Sequence, residues 1–217
     1  MESNFLQVTR LKTQRDQYMA SLTAALEKQC VLHSIEKINW PDFFYKPSVK
    51  FRIGHLGDRI CLKYYVTEQS VRALETKING DVYKDSCVEF FVSFDGEHYY
   101  NFEFSCIGTI HLAYGSGRHG RQRLPEEIVR LIQVEPSLGT KPFELKTGET
   151  SWELTVIIPV ECLMFNPGMD LSGRDATANF YKCGDELPVP HYVTWNPVKT
   201  ENPDYHRPEH FGKIKFD

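Results

Sequence analysis

The fold is indicated most clearly by residues 87–105, which read CVEFFVSFDGEHYYNFEFS. Two runs rich in aromatic and β-branched residues, 87–94 and 99–105, flank the dipeptide Asp95-Gly96. Such residues favour strands, and Asp-Gly between two apolar runs is a strong signal of a β-hairpin. This stretch therefore predicts two antiparallel strands joined by a tight turn.

The same pattern of short β-rich runs continues through the rest of the chain after residue 40. Turn signals such as Gly57-Asp58 and Asn79-Gly80 separate the runs. The further predicted strands are 49–55, 59–67, 109–114, 129–135, 151–158, 177–182, 190–195 and 211–216. About ten short strands without alternating helices argue for an antiparallel sandwich or barrel. We predict a mainly all-β fold, an antiparallel β-sandwich, in which residues 125–131 could hold one short helix.

The first forty residues have a different pattern. Apolar residues recur there at spacings of three and four, at positions 8/11, 18/22 and 22/26. This spacing predicts a helix, or two short helical turns, within residues 5–30; a partly ordered arm is the alternative. We therefore divide the chain into an N-terminal helical extension, residues 1–39, and a β-sandwich domain, residues 40–217.

Composition and charge exclude several classes of partner. The 217 residues include 25 Lys+Arg and 29 Asp+Glu, so the formal net charge is −4, and a broad basic face for nucleic acid is not expected. No apolar run approaches the roughly 20 residues of a membrane helix, so no membrane partner is expected. No signal peptide is visible at the start. The chain as it stands is interpreted as cytoplasmic, or as secreted or periplasmic if its start is truncated.

The cysteines and histidines do not predict a metal site. Six cysteines are scattered without a C-x-x-C pair, and in a chain of this length we expect six free thiols. His206 and His210 stand four apart, but Pro208 between them opposes the helix that would place both imidazoles on one face. We therefore expect loop histidines and no cofactor.

Two glutamates stand out because each lies inside an aromatic strand. Glu89 falls in CVEFF and Glu103 in NFEFS. A carboxylate in such a strand either points to solvent or is buried and paired. Two facing carboxyls can hydrolyse a glycosidic bond or simply hydrogen-bond a sugar, and both alternatives stay open here. The run 118–123, with three arginines and one histidine, is interpreted as a solvated loop.

Several motifs, in order, resemble the family 9 carbohydrate-binding modules and the related DOMON-like domains. The resemblance covers roughly residues 40–217. It is carried by Asp81-Val-Tyr-Lys-Asp-Ser-Cys-Val-Glu-Phe-Phe91, Tyr99-Tyr-Asn-Phe-Glu-Phe104, Asn179-Phe-Tyr181, His191-Tyr-Val-Thr-Trp-Asn-Pro197 and Asn202-Pro-Asp-Tyr-His-Arg-Pro-Glu-His-Phe-Gly-Lys-Ile-Lys-Phe216. The resemblance implies a β-sandwich that binds a sugar, often at a chain end, between two aromatic rings.

The resemblance also implies a set of binding residues. Tyr83 and Tyr205 match the tryptophans of the two walls. Glu89 matches a glutamate that contacts sugar hydroxyls. Asn202 matches an asparagine in the final loop, which also carries Tyr205. Glu103 and Tyr181 fall where the family has an arginine and a glutamine. These two departures leave the identity of the sugar open, and tyrosine walls offer a smaller platform than tryptophan.

The resemblance also implies a class of ligand and a class of partner. The expected ligand is a mono- or oligosaccharide, bound without catalysis, with glycan-degrading enzymes as candidate partners. Family members often bind a structural Ca²⁺, for which the candidate oxygen ligands are Asp85, Asp95, Asp170 and Asp175. Two alternatives remain: a glycoside hydrolase-type enzyme using Glu89 and Glu103, and a haem-binding DOMON-like redox domain, for which only Met164 and Met169 lie in a suitable loop.

Overall fold

The structure, a computed structural model, describes residues 4–13 and 19–217. It contains two α-helices, α1 (Met19–Gln29) and α2 (Glu126–Val129), and fourteen strands among these residues. The strands are β1 (Phe5–Arg10), β2 (His33–Ser34), β3 (Lys37–Ile38), β4 (Ser48–His55), β5 (Arg59–Ala73), β6 (Cys87–Ser93), β7 (Tyr99–Ser105), β8 (Ile110–Gly115), β9 (Gln122–Arg123), β10 (Gln133–Pro136), β11 (Phe143–Pro159), β12 (Asp175–Cys183), β13 (Tyr192–Thr194) and β14 (Gly212–Phe216).

The strands form two layers, and the prediction of a mainly antiparallel β-sandwich is confirmed. The front sheet runs β1-β14-β12-β6-β7-β8-β9, with β13 beside β12 and β3 beside β13. The back sheet runs β10-β11-β5-β4-β1, with β2 beside β4. The first four residues of β1 pair with β14 and its last two residues pair with β4, both in parallel. This strand therefore joins the two layers at one edge.

The main core lies between the two sheets. Alternate residues of each strand point into it, as Val88 and Phe90 of β6 do from the front sheet. Phe51 of the back sheet stacks on Phe180 of the front sheet with ring centroids 3.9 Å apart. Since one face of each sheet is used for this core, the opposite faces are free to be covered by other elements.

The outer face of the back sheet is covered by α1. Leu22 and Leu26 of this helix pack with Cys61 of β5 and Ile157 of β11 in a second apolar cluster. The helix was predicted, although the spacing 18/22 begins at a residue outside the described part of the chain. The helical prediction is wrong for residues 5–10, which form β1 with Leu6 and Val8 buried and their neighbours more exposed.

The predicted hairpin is confirmed between β6 and β7, which pair in antiparallel register. At its turn Gly96 has a φ of 81°, a conformation that glycine adopts without steric cost. The Asp95 carboxylate accepts hydrogen bonds from the backbone N–H groups of Glu97 and His98 at 2.8 and 2.7 Å. The turn is thereby closed by its own aspartate.

No helix among residues 4–13 and 19–217 is both long enough and apolar enough to span a membrane.

Candidate functional site

A row of polar residues crosses the outer face of the front sheet. Tyr181 of β12 stands opposite Glu89 of β6, which stands opposite Glu103 of β7, which stands opposite His111 of β8. Because side chains alternate along a strand, these residues point away from the core that holds Val88. The register of three strand pairs thus brings the two predicted glutamates together.

Glu89 is buried at the floor of a pocket on this face, with 3% of its surface exposed. The thiol of Cys183 donates a hydrogen bond to its Oε1 at 3.1 Å. Burial, together with the neighbouring Glu103 carboxyl, raises the pKa of Glu89 well above its usual range. The side chain is therefore held as a neutral acid that can both donate and accept hydrogen bonds.

Glu103 lies beside it and is also buried, with 5% exposed. Its Oε1 accepts a hydrogen bond from the Asn101 side-chain amide at 2.8 Å, while its Oε2 has no hydrogen-bond partner among the described residues. Nη1 of Arg121, 4.0 Å from Oε1, is likewise buried and without a hydrogen-bond partner in that part of the chain. Burial raises the pKa of the Glu103 carboxyl. The pocket floor thus presents an unused carboxyl oxygen beside an unused guanidinium nitrogen.

One wall is formed by the turn that precedes β6. Tyr83 lies in the 3-10 helix Val82–Lys84 and exposes 37% of its surface. Asp81 comes just before it and forms an ion pair with Lys84 at 3.2 Å. Asp185 lines the same pocket, and burial raises the pKa of its carboxyl to about 6. This wall combines an accessible ring with carboxyl groups.

The opposite side is formed by the segment around β9 and by the final loop. The segment around β9 contributes Arg118, His119, Arg121 and Arg123. The final loop contributes Asp204 and His206. The ring of His206 stacks on Phe91 at 5.1 Å, and its Nδ1 lies 3.0 Å from the Tyr99 hydroxyl. Burial lowers the pKa of His206 well below its usual range, with the nearby arginines acting in the same direction. The histidine is therefore neutral.

Tyr205 and Tyr181 differ from the arrangement that the sequence predicted. Tyr205 lines the pocket but is only 7% exposed, because its ring stacks on Tyr181 at 4.0 Å. Tyr181 is fully buried beneath it. Tyr205 therefore presents little of its ring to the pocket, in contrast to Tyr83. Asn202 is exposed and lies outside the pocket lining.

The pocket has a volume of about 280 Å³. It brings together four of the six predicted residues, Tyr83, Glu89, Glu103 and Tyr205. Lining residues that the sequence interpretation missed are Asp81, His111, Arg118, His119, Arg121, Arg123, Cys183, Asp185, Tyr192, Pro203, Asp204 and His206. The arginine run was visible in the sequence, but nothing in its composition indicated that it borders a pocket.

One group of side chains has a geometry that could hold a metal ion. The ligand atoms of Cys87, Glu89 and Cys183 lie within 4.8 Å of one another. Burial raises the pKa of the Cys87 thiol to about 12 and that of Cys183 well above its usual range. Without a metal the group is therefore a neutral, hydrogen-bonded part of the pocket floor.

The four aspartates considered for Ca²⁺ are placed differently. Asp85 is buried, and its Oδ2 accepts hydrogen bonds from two backbone N–H groups while its Oδ1 pairs with Arg72 at 2.9 Å. Asp95 closes the hairpin turn. Asp170 accepts a hydrogen bond from the backbone of Ser172, and Asp175 pairs with Lys215 at 3.6 Å. Within residues 4–13 and 19–217 they do not form a cluster of three.

The family model described as carbohydrate-binding family 9 matches residues 20–216. A solved structure from Bacteroides uniformis, described as a candidate carbohydrate-binding protein, is 37% identical, covers 100% of both chains and superposes with a TM-score of 0.95. A family 9 module from Caldicellulosiruptor kristjanssonii in complex with cellotriose is 11% identical, covers 98% of this chain and 93% of its own, and has a TM-score of 0.58.

A second Caldicellulosiruptor kristjanssonii family 9 structure, in complex with glucose, is 10% identical, covers 99% of this chain and 96% of its own, and has a TM-score of 0.54. These two structures support the fold. No curated protein matches the chain.

Proposed function

The chain belongs to carbohydrate-binding family 9, and we propose that it binds a sugar, without converting it, in the pocket over the front sheet. The observation that carries the proposal is the pair of glutamates at directly opposed positions of β6 and β7, at the floor of a pocket bordered by Tyr83. The fold, the family and this geometry support the same function.

The size and lining of the pocket suit one sugar ring. Its volume of about 280 Å³ lies just below the roughly 300–1,000 Å³ that is typical of ligand pockets. A pyranose has apolar C–H faces, which an aromatic ring such as that of Tyr83 can cover. The expected ligand is therefore a monosaccharide or one end of an oligosaccharide.

The rim of a sugar carries hydroxyls, each of which donates and accepts hydrogen bonds. Oε2 of Glu103 and Nη1 of Arg121 are buried in the pocket without hydrogen-bond partners. Leaving such groups unpaired costs about 1–3 kcal/mol each. A sugar hydroxyl that reaches either atom when the ligand binds would offset this cost, which supports a polyhydroxylated ligand.

The same carboxyls are poorly suited to hydrolysis. A retaining glycosidase needs one ionised carboxylate as nucleophile and one protonated acid, and an inverting enzyme needs a base and an acid. Here burial raises the pKa of both Glu89 and Glu103, so the two environments shift the carboxyls in the same direction and do not set one apart as acid and the other as base. The haem alternative has no support at the pocket, since Met164 and Met169 are not among its lining residues.

Isothermal titration calorimetry tests the proposal. Glucose and cello-oligosaccharides are suitable first ligands, because the two Caldicellulosiruptor modules hold glucose and cellotriose. We expect micromolar to millimolar affinity that Tyr83→Ala weakens and Tyr65→Ala, a half-exposed tyrosine on the back sheet, does not. Release of reducing sugar from a polysaccharide would contradict non-catalytic binding.

We also propose glycan-degrading enzymes as partners, a prediction that follows from the family's sugar binding. Co-purification from cells grown on a polysaccharide tests it. Recovery of glycoside hydrolases with the wild-type chain, compared with an unrelated bait of similar charge, is the expected result. Recovery equal to that of the control bait contradicts it.

A further inference from the structure

The three arginines of the pocket differ from the other arginines of the described chain in their contacts. Arg118 and Arg123 have no side-chain hydrogen bond and no ion pair within 4.0 Å among the described residues. Arg121 donates its Nε to the carbonyl of Arg118 at 3.2 Å, but its Nη1 is buried and has no hydrogen-bond partner there. The pocket therefore holds guanidinium groups whose donors are largely unused.

Arginines elsewhere in the described residues each donate to a partner within the chain. Their partners are Ser172 for Arg10, the Cys30 carbonyl for Arg52, Asp58 for Arg59, Asp85 for Arg72, Glu126 for Arg130, the Asp170 carbonyl for Arg174 and Glu209 for Arg207. Among the described arginines, Arg118 and Arg123 are thus the two without a side-chain partner in the described chain, and both lie in the segment that borders the pocket. A ligand is a natural partner for donors that the protein itself does not use.

Five carboxyl groups also line the pocket, so the charge that an incoming ligand meets must be considered. Asp81 is paired with Lys84 at 3.2 Å, and Asp204 lies 4.0 Å from Arg207. Both cations lie outside the pocket lining. Each of these two carboxylates therefore has one cation nearby, although Lys84 also pairs with Glu186 at 3.6 Å and Arg207 with Glu209 at 2.7 Å.

The remaining three carboxyls lie deeper. Glu89 and Glu103 are buried at the floor and hydrogen-bonded to Cys183 and Asn101. Burial raises the pKa of both, and raises the pKa of Asp185 to about 6. Three guanidinium groups, those of Arg118, Arg121 and Arg123, therefore line the side of the pocket opposite Tyr83, while the floor holds the two buried glutamates.

We propose that the sugar bound in this pocket carries an anionic substituent, which Arg118, Arg121 and Arg123 hold while Glu89 and Glu103 receive its hydroxyls. The inference rests on the proposed function. Guanidinium groups match the geometry of carboxylate and phosphate oxygens with paired N–H donors. The shared chemistry is a sugar with a carboxylate, phosphate or sulfate group, such as a hexuronic acid or a sugar phosphate.

Calorimetry with matched sugars tests this inference. The pairs are glucuronate against glucose and galacturonate against galactose, with glucose 6-phosphate and glucose 6-sulfate as the phosphate and sulfate arms. We expect at least one acidic sugar to bind about tenfold or more tightly than its neutral counterpart. Because ions screen charge interactions outside the deep interior, this ratio should fall as the NaCl concentration is raised.

Variants locate the effect. Arg118→Ala and Arg123→Ala are each expected to reduce the affinity for the acidic sugar about fivefold or more, and to reduce it more than the affinity for the neutral counterpart, so that the preference for the acidic sugar falls. Arg130→Ala is the matched control, since Arg130 is exposed directly after α2 and lies outside the pocket. Both pocket arginines are exposed, so circular dichroism should show these variants folded.

The outcomes separate the two proposals. A neutral sugar that binds as tightly as its acidic counterpart overturns the inference and leaves the proposed function standing. The inference is also overturned if the wild type and both arginine variants prefer the acidic sugar over its neutral counterpart to the same degree. Inorganic phosphate that binds as tightly as glucose 6-phosphate would indicate a simple anion site and overturn the assignment to a sugar. Failure of every sugar to bind overturns the proposed function as well.

Discussion

Tyr205 lies flat against Tyr181, with ring centroids 4.0 Å apart and ring planes 11° apart. The Tyr181 hydroxyl donates to the carbonyl of Tyr205 at 3.1 Å, and the Tyr205 hydroxyl donates to the carbonyl of Lys182 at 3.0 Å. Both rings and both hydroxyls are thus used inside the protein. The pair attaches the final loop to β12 and supports the pocket from below.

Tyr205→Ala is therefore expected to lower the free energy of unfolding by about 3–5 kcal/mol, as truncation of a buried aromatic ring does. Tyr205→Phe keeps the stacked ring and loses one hydrogen bond, which costs about 0.5–1.5 kcal/mol. Urea denaturation followed by tryptophan fluorescence measures both values. A Tyr205→Ala variant as stable as the wild type would show that the ring is not packed as described.

Tyr83→Ala is expected to have the opposite effect, with little change in stability and a clear loss of sugar affinity. With 37% of its surface exposed, Tyr83 contributes little to packing. The free energy of unfolding should therefore change by no more than about 0.5 kcal/mol. If the ring covers a sugar face, sugar binding should weaken by about 1.5–3 kcal/mol. Calorimetry gives the second value and denaturation the first. Unchanged affinity in this variant would exclude Tyr83 from the binding surface.

The contrast between the two tyrosines shows what the sequence could predict about the site. The motif order indicated both positions, and the aromatic surroundings of Glu89 and Glu103 indicated carboxyls inside strands. The exposure of each ring depends on contacts between β12 and a loop more than twenty residues away. Neither local periodicity nor composition contains that information. The arginines were missed for a similar reason, because a charged run is typical of a solvated loop.

For the fold, the period-two runs predicted most strands correctly, since a half-buried strand has a strong local signature. The strand β1 was missed because Val8 and Leu11 have the spacing of a helix, which obscured the period-two pair Leu6 and Val8. Its identity as a strand depends on parallel pairing with β14, near the other end of the chain. Pairing over such a sequence separation has no local signal.

Glu89→Gln is expected to change how stability depends on pH. The folded-state pKa of Glu89 is raised by burial, so its contribution to stability is fully present below the unfolded pKa of about 4.3. It is lost progressively as the pH rises toward the folded pKa. Glutamine resembles the neutral acid and cannot ionise. Above the unfolded pKa, the variant should therefore become progressively more stable relative to the wild type as the pH rises.

Urea denaturation at several pH values measures this difference. Glu97→Gln, on the exposed hairpin turn, is the matched control. Its stability should depend on pH in the same way as that of the wild type. A difference between Glu89→Gln and the wild type that is constant across the pH range would contradict a raised pKa at Glu89.

The six cysteines are free and buried. We expect them to react slowly with a thiol reagent in the folded protein and quickly once it is unfolded, since reactivity requires both access and thiolate. Titration with Ellman's reagent, with and without denaturant, makes the measurement. Two or fewer thiols in the unfolded chain would contradict the absence of disulfides among these cysteines.

The most demanding prediction concerns Lys182, whose side chain is fully buried on the core side of the front sheet. Its Nζ lies 2.9 Å from Oε2 of Glu68 and 2.9 Å from Nε2 of His191, and it donates to the carbonyl of Cys183 at 2.8 Å. The indole of Trp152 donates to the other oxygen of Glu68 at 2.8 Å. Lys182 and Glu68 thus form a buried ion pair, and each of them has a further hydrogen-bond partner inside the protein.

Removing one member of such a pair leaves an uncompensated buried charge. Lys182→Met and Glu68→Gln are therefore each expected to cost about 3–5 kcal/mol of unfolding free energy. The double variant removes both charges, and its glutamine still offers Trp152 an acceptor, so it should cost clearly less than the sum of the two single changes.

His191 provides an independent readout of the same network. Burial, with the charge of Lys182 acting in the same direction, lowers the pKa of His191 to about 3. The imidazole is therefore neutral, with Nδ1 donating to the carbonyl of Val189 at 3.0 Å and Nε2 accepting from Lys182. In Lys182→Met the pKa of His191 should rise, which NMR titration of the imidazole can measure. Additive stability effects together with an unchanged His191 pKa would show that the three side chains do not act as one network.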